Sequence, residues 1–597
     1  LSTAILTGQP VPGSSIEGDL RSLGFDVRTA TDAAETETLL AQVPADQRVA
    51  VVDAGFVGHL HALRLGLTDP RFPLAAIPGA VTAQPAGRQA LTRAMARENS
   101  AGGGTAVAVD HLADRVVAAL DADDAGVHHP ELGSLVAVVP ADPQARNEAR
   151  QAVAAVDDEA VRLKSAVKSR DGFFTTYCIS PYSRYIARWC ARRGLTPNQV
   201  TTASLITALI AAACAATGTR GGFVAAGVLL IASFVLDCTD GQLARYSLQY
   251  STLGAWLDAT FDRAKEYAYY AGLALGAARG GDDVWALALG AMVLQTCRHV
   301  VDFSFNEANH DATANTSPTA ALSDKLDSVG WTVWIRRMIV LPIGERWAII
   351  AVLTALTTPR ITFYALLIGC AFAATYTTAG RVLRSLTRKA QRTDRAAKAL
   401  ADLADSGPLA ELLTRGLPDK VHGLAPLNAA FGGALLAVTA AVFGPSWQVV
   451  AAAGLYVVLA GESVNHPLKG ALDWLIPPFF RAAEYGTVLI LAAKADVNGA
   501  LPAAFGLVAA VAYHHYDTVY RIRGNAGASP AWLVRAIGGH EGRTLLVTVL
   551  AALLTASQFT VALTALAVAV ALVVLFESIR FWVSSGAPAV HDEGEPA

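Results

Sequence analysis

Charge is scarce in this chain of 597 residues: Asp, Glu, Lys and Arg together make up 16% of it, and the mean hydropathy is +0.38. That pairing excludes an ordinary soluble enzyme and fits a polytopic membrane protein with a soluble part. An excess of basic charge is also missing. The formal net charge is -3, so no global basic field points to nucleic acid. Cysteine is sparse. Its six copies all fall between Cys178 and Cys370, and no two form a CxxC pair, which argues against a zinc site or a disulfide framework and for a reducing compartment. A basic stretch followed by a short apolar run is absent from the first residues, so the first part is expected to stay in the cytoplasm.

What the chain has instead is a polar, Ala-rich opening and long apolar runs. Residues 1–150 carry short apolar stretches at TAILTG (3–8), VAVVDAGF (49–56), TAVAVD (105–110) and SLVAVV (134–139), with helix-like segments between them. This alternation predicts a soluble α/β domain with a mostly parallel sheet. Residues 151–195 form a juncture. There CISPYSRYIARWCARR sets Tyr182, Tyr185, Ile186 and Trp189 on one helical face among Arg184, Arg188, Arg192 and Arg193, a pattern suited to a helix lying in a lipid headgroup region.

Apolar segments of spanning length follow, at 200–217, 221–239, 253–277, 283–303, 339–357 and 361–383. A basic linker, 386–420, separates them from a second group at 426–444, 447–462, 471–494, 500–519, 541–557 and 559–583. An even count of six returns the chain to its starting side. The basic segments before the first span and after the sixth then both face the cytoplasm. The expected fold class is therefore a mainly α-helical polytopic membrane protein with an N-terminal α/β domain. Its membrane domain covers 196–385, a second bundle covers 421–585, and a disordered tail takes 586–597.

Acids stand out against this background. LDCTDGQLARYSLQYSTLGAWLDATFDRAKEY, from Leu236, brings Asp237, Asp240, Asp258 and Asp262 into the second and third spans. Each ionised side chain at mid-bilayer costs roughly 2.5–3.5 kcal/mol on insertion scales, so the four must face a wet cavity, pair with cations, or both. Asp237 and Asp240 are three apart and Asp258 and Asp262 four apart, so each pair shares a helix face. Two helices meeting there would aim four carboxylates at one point. Mg²⁺ takes such oxygen ligands and shares its remaining positions with water and phosphate. Small neighbours, Gly241, Ala244 and Gly254, permit close backbone approach, and Arg245 offers a forked donor for phosphate.

The full pattern, D-x-x-D-G-x-x-A-R-x8-G-x3-D-x3-D, is filled without substitution by Asp237, Asp240, Gly241, Ala244, Arg245, Gly254, Asp258 and Asp262. It resembles the signature of the CDP-alcohol phosphotransferase family. LTPNQVTTASL, holding Thr201, resembles the segment before that family's first span, and the resemblance covers roughly 164–385. It implies transfer of a phosphoalcohol group from a CDP-alcohol donor to an acceptor hydroxyl, with release of CMP. It also implies Mg²⁺ (or Mn²⁺) on Asp237, Asp240, Asp258 and Asp262, with Asp262 as catalytic base. Nucleotide contacts fall to Gly241, Ala244, Arg245, Gly254 and Thr201. Membrane lipids are the implied surroundings, in a multi-pass cytoplasmic membrane location with the active site and N-terminal domain facing the cytoplasm.

KSRDGFF (168–174) looks like a segment of family members that use inositol phosphates, some of which carry a cytidylyltransferase in front. Lys168 and Arg298 are thus candidate acceptor-binding residues, with Arg336 and Arg337 also able to read a phosphate. TAILTGQPVPGSS lacks the glycine-rich, Arg-containing loop of such nucleotidyltransferases. The N-terminal domain is therefore read as a degenerate nucleotidyltransferase-like fold, with Asp53 and Asp110 as remnants of metal positions or plain turn formers. A receiver-like module is the alternative.

The second group of spans echoes the first. AWLDATFDRAKEY (255–267) aligns on DWLIPPFFRAAEY (473–485) with seven of thirteen positions identical, where average composition gives about one. His299 and Asp302 in CRHVVD have counterparts in YHHYD at His514 or His515 and Asp517, and Arg346 pairs with Arg543. Asp258 falls on Ile476 and Asp262 on Phe480. A duplication whose second half has lost its metal site is the expectation. Since family members resemble one another in forming homodimers, either a homodimer or an internal pseudo-dimer would follow. Competing classes are a transporter using the acids as an ion path and a noncatalytic scaffold.

Overall fold

A computed structural model describes residues 2–101, 111–168, 171–312, 334, 338–387, 390–414 and 425–584. The chain divides into two compact units: Leu1–Ser169 with Tyr182–Pro197 and Thr239–Tyr250, and Arg170–Pro181 with Asn198–Cys238 and Ser251–Ala597.

The first unit is built on a five-stranded sheet of β1 (Ser2–Thr7), β2 (Phe25–Ala30), β3 (Arg48–Asp53), β5 (Leu74–Ile77) and β6 (Ala80–Ala83), ordered β2-β1-β3-β6-β5. The runs STAILT and RVAVVD are buried almost throughout, as central strands covered on both faces should be. The expected mostly parallel sheet needs correction. Among the described strands of this sheet, only β2, β1 and β3 are parallel, while β6 runs antiparallel to both β3 and β5. The cause is local: Pro78-Gly79 closes a tight hairpin between β5 and β6, with Gly79 at φ +77. SLVAVV supplies only β7 (Ala137–Val138), which pairs with β4 (Val57–Gly58) in a separate two-stranded sheet. TAVAVD and Asp110 lie outside the described residues.

Among the described residues, seven α-helices accompany these strands: α1 (Ile16–Ser22), α2 (Ala33–Gln42), α3 (Leu60–Thr68), α4 (Arg88–Ala101), α5 (Leu112–Ala122), α6 (Pro143–Ala154) and α7 (Asp158–Ser165). Asp53 ends β3 as a turn former. Its carboxylate accepts from the Gly55 amide at 2.7 Å and the His111 amide at 3.0 Å. Helix α8 (Ser180–Arg192) buries Ser183, Ala187 and Cys190 and leaves Tyr182, Tyr185 and Trp189 exposed, the amphipathic division the sequence predicted.

Helices dominate the second unit. The first set is α9 (Pro197–Ala216), α10 (Arg220–Ser247), α11 (Thr252–Arg279), α12 (Trp285–Asn309), α13 (Ile343–Leu356) and α14 (Pro359–Thr387). Two shorter helices, α15 (Asp394–Ala404) and α16 (Pro408–Thr414), occupy what the sequence suggested was a bare basic linker. Leu400 and Leu403 of α15 are fully buried, so this stretch is packed structure. Then come α17 (Ala425–Phe443), α18 (Trp447–Ser463), α19 (Ile476–Lys494), α20 (Ala500–Arg523), α21 (Ala531–Ala536), α22 (Gly539–Leu553) and α23 (Ala556–Ser584).

Among the described residues, six helical stretches are long and apolar enough to cross a membrane: Pro197–Ala216, Arg220–Ser247, Pro359–Thr387, Ala425–Phe443, Asp473–Lys494 and Ala556–Ser584. The other predicted spans are helical too, but they carry more charge or are shorter. Helix α13, for example, has 14 residues. Helix α11 meets α9 through Gly272 and Gly276, where a Cβ would sit 2.4 Å from the Ala212 carbonyl oxygen and 2.0 Å from that of Ala215. That small-xxx-small contact fixes the rotation of the helix carrying Asp258 and Asp262.

Candidate active site

Helix α10 is continuous from Arg220 to Ser247, so Asp237 and Asp240 lie one turn apart on it. Helix α11 opens with Ser251 as its cap, whose hydroxyl oxygen accepts from the Gly254 amide at 2.9 Å. One turn further stands Asp258, and one more Asp262. Asp237, Asp240 and Asp258 each offer a carboxylate oxygen within 4.8 Å of the others. Three hard oxygen donors so close together repel one another unless a cation lies between them, so the donor set fits a divalent ion such as Mg²⁺ or Mn²⁺.

Asp262 is placed differently from the expected fourfold convergence. Its Oδ1 lies 2.8 Å from the ammonium of Lys265, which also bonds Asp237. Lys265 is fully buried. Its Nζ donates to Ser204 Oγ at 3.2 Å and sits 5.5 Å from the centre of the Trp347 ring. Ser204 is itself locked, because its hydroxyl and that of Ser233 each donate to the other's carbonyl at 2.8 Å. Helices α9, α10 and α11 therefore meet at one ammonium group.

Lys265 is the residue that reading the sequence missed. The signal was present: a lysine inside an apolar helix is as costly as an aspartate, and it stands three residues from Asp262.

The next residues along α11 hold it from behind. Arg263 Nη1 donates to Glu266 at 3.0 Å, Arg346 Nε lies 3.1 Å from the same carboxylate, and the Tyr270 hydroxyl donates to it at 2.7 Å. Removing one member of such a buried ion group leaves an uncompensated charge, so these contacts fix which face of α11 turns toward α10.

The remaining motif positions have distinct roles. At Gly241, a Cβ would lie 3.5 Å from the Arg245 guanidinium, and Arg245 Nε donates to the Ala166 carbonyl at 2.6 Å. Ala244 is half-buried on the same helix. A Cβ on Gly254 would come within 2.7 Å of Asn198 Oδ1 and 2.8 Å of Ser251 Oγ, so this glycine lets the starts of α9 and α11 touch. Thr201 is buried on α9. Arg298 is 5% exposed. Its Nη2 donates to the Val340 carbonyl, while Nε and Nη1 have no hydrogen-bond partner among the described residues. Lys168 is exposed, in the first unit. Arg336 and Arg337 lie outside the described residues.

Fold and site together define a multi-pass helical membrane protein with a carboxylate cluster on two facing helices. Residues 194–377 match the family model of CDP-alcohol phosphatidyltransferases. Residues 394–597 match a family of unknown function (DUF5941). Among characterised proteins, the chain is similar to the phosphatidylinositol phosphate synthase of Streptomyces avermitilis, 35% identical over 131 residues, 21% of this chain and 51% of that protein. It is 30% identical to the archaetidylinositol phosphate synthase of Pyrococcus horikoshii over 113 residues, 19% of this chain and 58% of the relative. Over 114 residues it is 31% identical to the bifunctional IPC transferase and DIPP synthase of Aquifex aeolicus, 19% of this chain and 26% of that one. The matches thus span between a quarter and three-fifths of these relatives' own lengths.

Proposed function

We propose that the protein transfers a phosphoalcohol group from a CDP-alcohol lipid, CDP-diacylglycerol in kind, to the hydroxyl of an inositol phosphate, releasing CMP. The observation that carries this reading is the three-carboxylate cluster of Asp237, Asp240 and Asp258 beside a lysine-anchored Asp262. A divalent cation held by the three would neutralise the donor's pyrophosphate and stabilise CMP as it leaves.

The chain's own groups do the rest. Asp262 Oδ2, the oxygen opposite the one on Lys265, takes the proton of the acceptor hydroxyl. The acceptor oxygen so freed bonds to the donor phosphorus bearing the alcohol, and the bond from that phosphorus to the bridging oxygen breaks, its electron pair leaving with CMP. Lys265 fixes the orientation of Asp262 through Oδ1. Arg245 and Gly241 suit the nucleotide's phosphates and a flat ring against the helix.

Two features support an inositol phosphate acceptor. The relatives include phosphatidylinositol phosphate and archaetidylinositol phosphate synthases. Arg298 also keeps guanidinium nitrogens without hydrogen-bond partners among the described residues in a buried place, where an acceptor phosphate would satisfy them. The basic segments before α9 and after α14 favour a cytoplasmic active site.

The test is metal-dependent CMP release from CDP-diacylglycerol and inositol phosphate in lipid vesicles. Wild type should release CMP with Mg²⁺ or Mn²⁺. Asp240→Asn and Asp262→Asn should each lose about 10²–10⁴-fold. Equal release by wild type and Asp262→Asn would remove Asp262 as base, and no release with any CDP-alcohol would end the reading.

A further inference from the structure

The family of unknown function that begins at residue 394 lies in the same compact unit as α11 and the part of α10 up to Cys238. Aligning AWLDATFDRAKEY on DWLIPPFFRAAEY puts Trp256 on Trp474, Arg263 on Arg481 and Glu266 on Glu484. Helices α14 and α23 have 29 residues each. Laid end to end, they put Arg381 on Ser578 and Ser385 on Trp582.

Paired positions make paired contacts within each half. Glu266 binds Arg263 and Arg346, and Glu484 binds Arg481 at 2.8 Å and Arg543 at 2.6 Å. Asp302 of α12 pairs with Arg381 of α14, and Asp517 of α20 accepts from Ser578 of α23 at 2.7 Å. Near these pairs, though one position out of register, Glu345 accepts from the Phe174 amide at 3.2 Å and Glu541 from the Gly407 amide at 2.8 Å. No lipid-packing requirement would produce these coincidences together.

Contacts between the halves are reciprocal as well. Trp256 stacks on Trp582 at 6.2 Å, and its counterpart Trp474 donates to Ser385, the counterpart of Trp582, at 3.0 Å. Helix α11 packs on α20 and α12 on α19, while the equivalent helices α12 and α20 pack on each other. Residue i touching j′ while j touches i′ is the mark of an isologous two-fold interface.

We infer that residues 394–584 are a second copy of the catalytic bundle, related to the first by a pseudo-two-fold axis, and that they occupy the face where another subunit would dock. The copy is silent. Ile476 and Phe480, standing where Asp258 and Asp262 stand in the first half, are fully buried apolar side chains, so that position takes no cation. The chain is its own dimer, with one active site.

This inference rests on packing alone and stands whichever alcohol the first half transfers. Its test is the native mass of the full chain in detergent, together with a photo-reactive benzoylphenylalanine in place of Trp256. The expected result is the mass of a single 62.2 kDa chain and a crosslink from position 256 to α23 or α20 of the same chain. A two-chain mass with that same intrachain crosslink also supports the inference and moves any further pairing to another face. Capture of a second chain by position 256, or of an intrachain site on neither α23 nor α20, would overturn it.

Discussion

At the scale of single residues, Lys265 decides how the acidic site balances its charge. Three carboxylates cluster and Asp262 stands beside them, and the only buried lysine among the described residues bridges Asp262 and Asp237. Replacing it by methionine keeps the volume and removes the cation. The two aspartates then repel each other in a poorly screened place. Lys265→Met should lose CMP release at least about 100-fold, because Asp262 is no longer held. In Mn²⁺ titrations read by electron paramagnetic resonance, an additional ion should enter to replace the lost charge. A wild-type Mn²⁺ stoichiometry in this variant would show that the ammonium does not stand in for a cation.

A second residue reports on the unit that holds the sheet. His61 is buried, and its ring nitrogens have no hydrogen-bond partner among the described residues. Burial, then the charges of Arg162 and Arg64 and nearby His59, push it down to about 4. The folded state refuses a proton that the unfolded chain accepts near 6.5. Stability should therefore fall as the pH drops from about 6.5 toward 4, by on the order of 3 kcal/mol when complete. His61→Leu should flatten that slope, as measured by hydrogen exchange of the β3 amides at pH 7.5 and pH 5.

At the scale of elements, Gly254 is where two helix starts meet. A methyl group there collides with Asn198 Oδ1, the end of a side chain that can turn away, and with Ser251 Oγ, which caps α11. Gly254→Ala should cost about 1 kcal/mol, the worth of an N-cap. The cost should shrink in a Ser251→Ala background, a coupling that thermal melts of the four proteins would measure.

The helices and the acidic spacing could be read from the sequence because both follow from local periodicity and insertion cost. The β5–β6 hairpin was not legible. Its strands have four residues each, too short to declare direction, and only the Pro78-Gly79 turn separates them. Helix α15 was hidden by its charges, although Ala396, Leu400 and Leu403 fall at helical spacing and are buried. The pairing of Lys265 with Asp262 is tertiary in part. Sequence places the two on one face of α11, but only packing against α9 and α10 decides that this face looks at Asp237.

At the scale of the whole molecule, the second half can be an appendage or part of one cooperative body. A single hydrophobic cluster runs from Ile179 through both sets of helices to Val574, and the polar networks at its two ends are built alike. If the halves form one body, damage far from the active site must reach it. Glu484 lies between Arg481 and Arg543, all three buried, with Asp405 as the other anion at 2.7 Å from Arg543. Glu484→Gln leaves two guanidinium groups facing one carboxylate, an imbalance worth about 3–5 kcal/mol in a buried network. CMP release at low temperature should be unchanged, since Glu484 touches none of the catalytic side chains. The temperature of irreversible inactivation should drop by several degrees in step with unfolding of α19. Loss of α19 structure with catalysis surviving to the wild-type temperature would mean that the halves melt separately and that the shared core does not couple them.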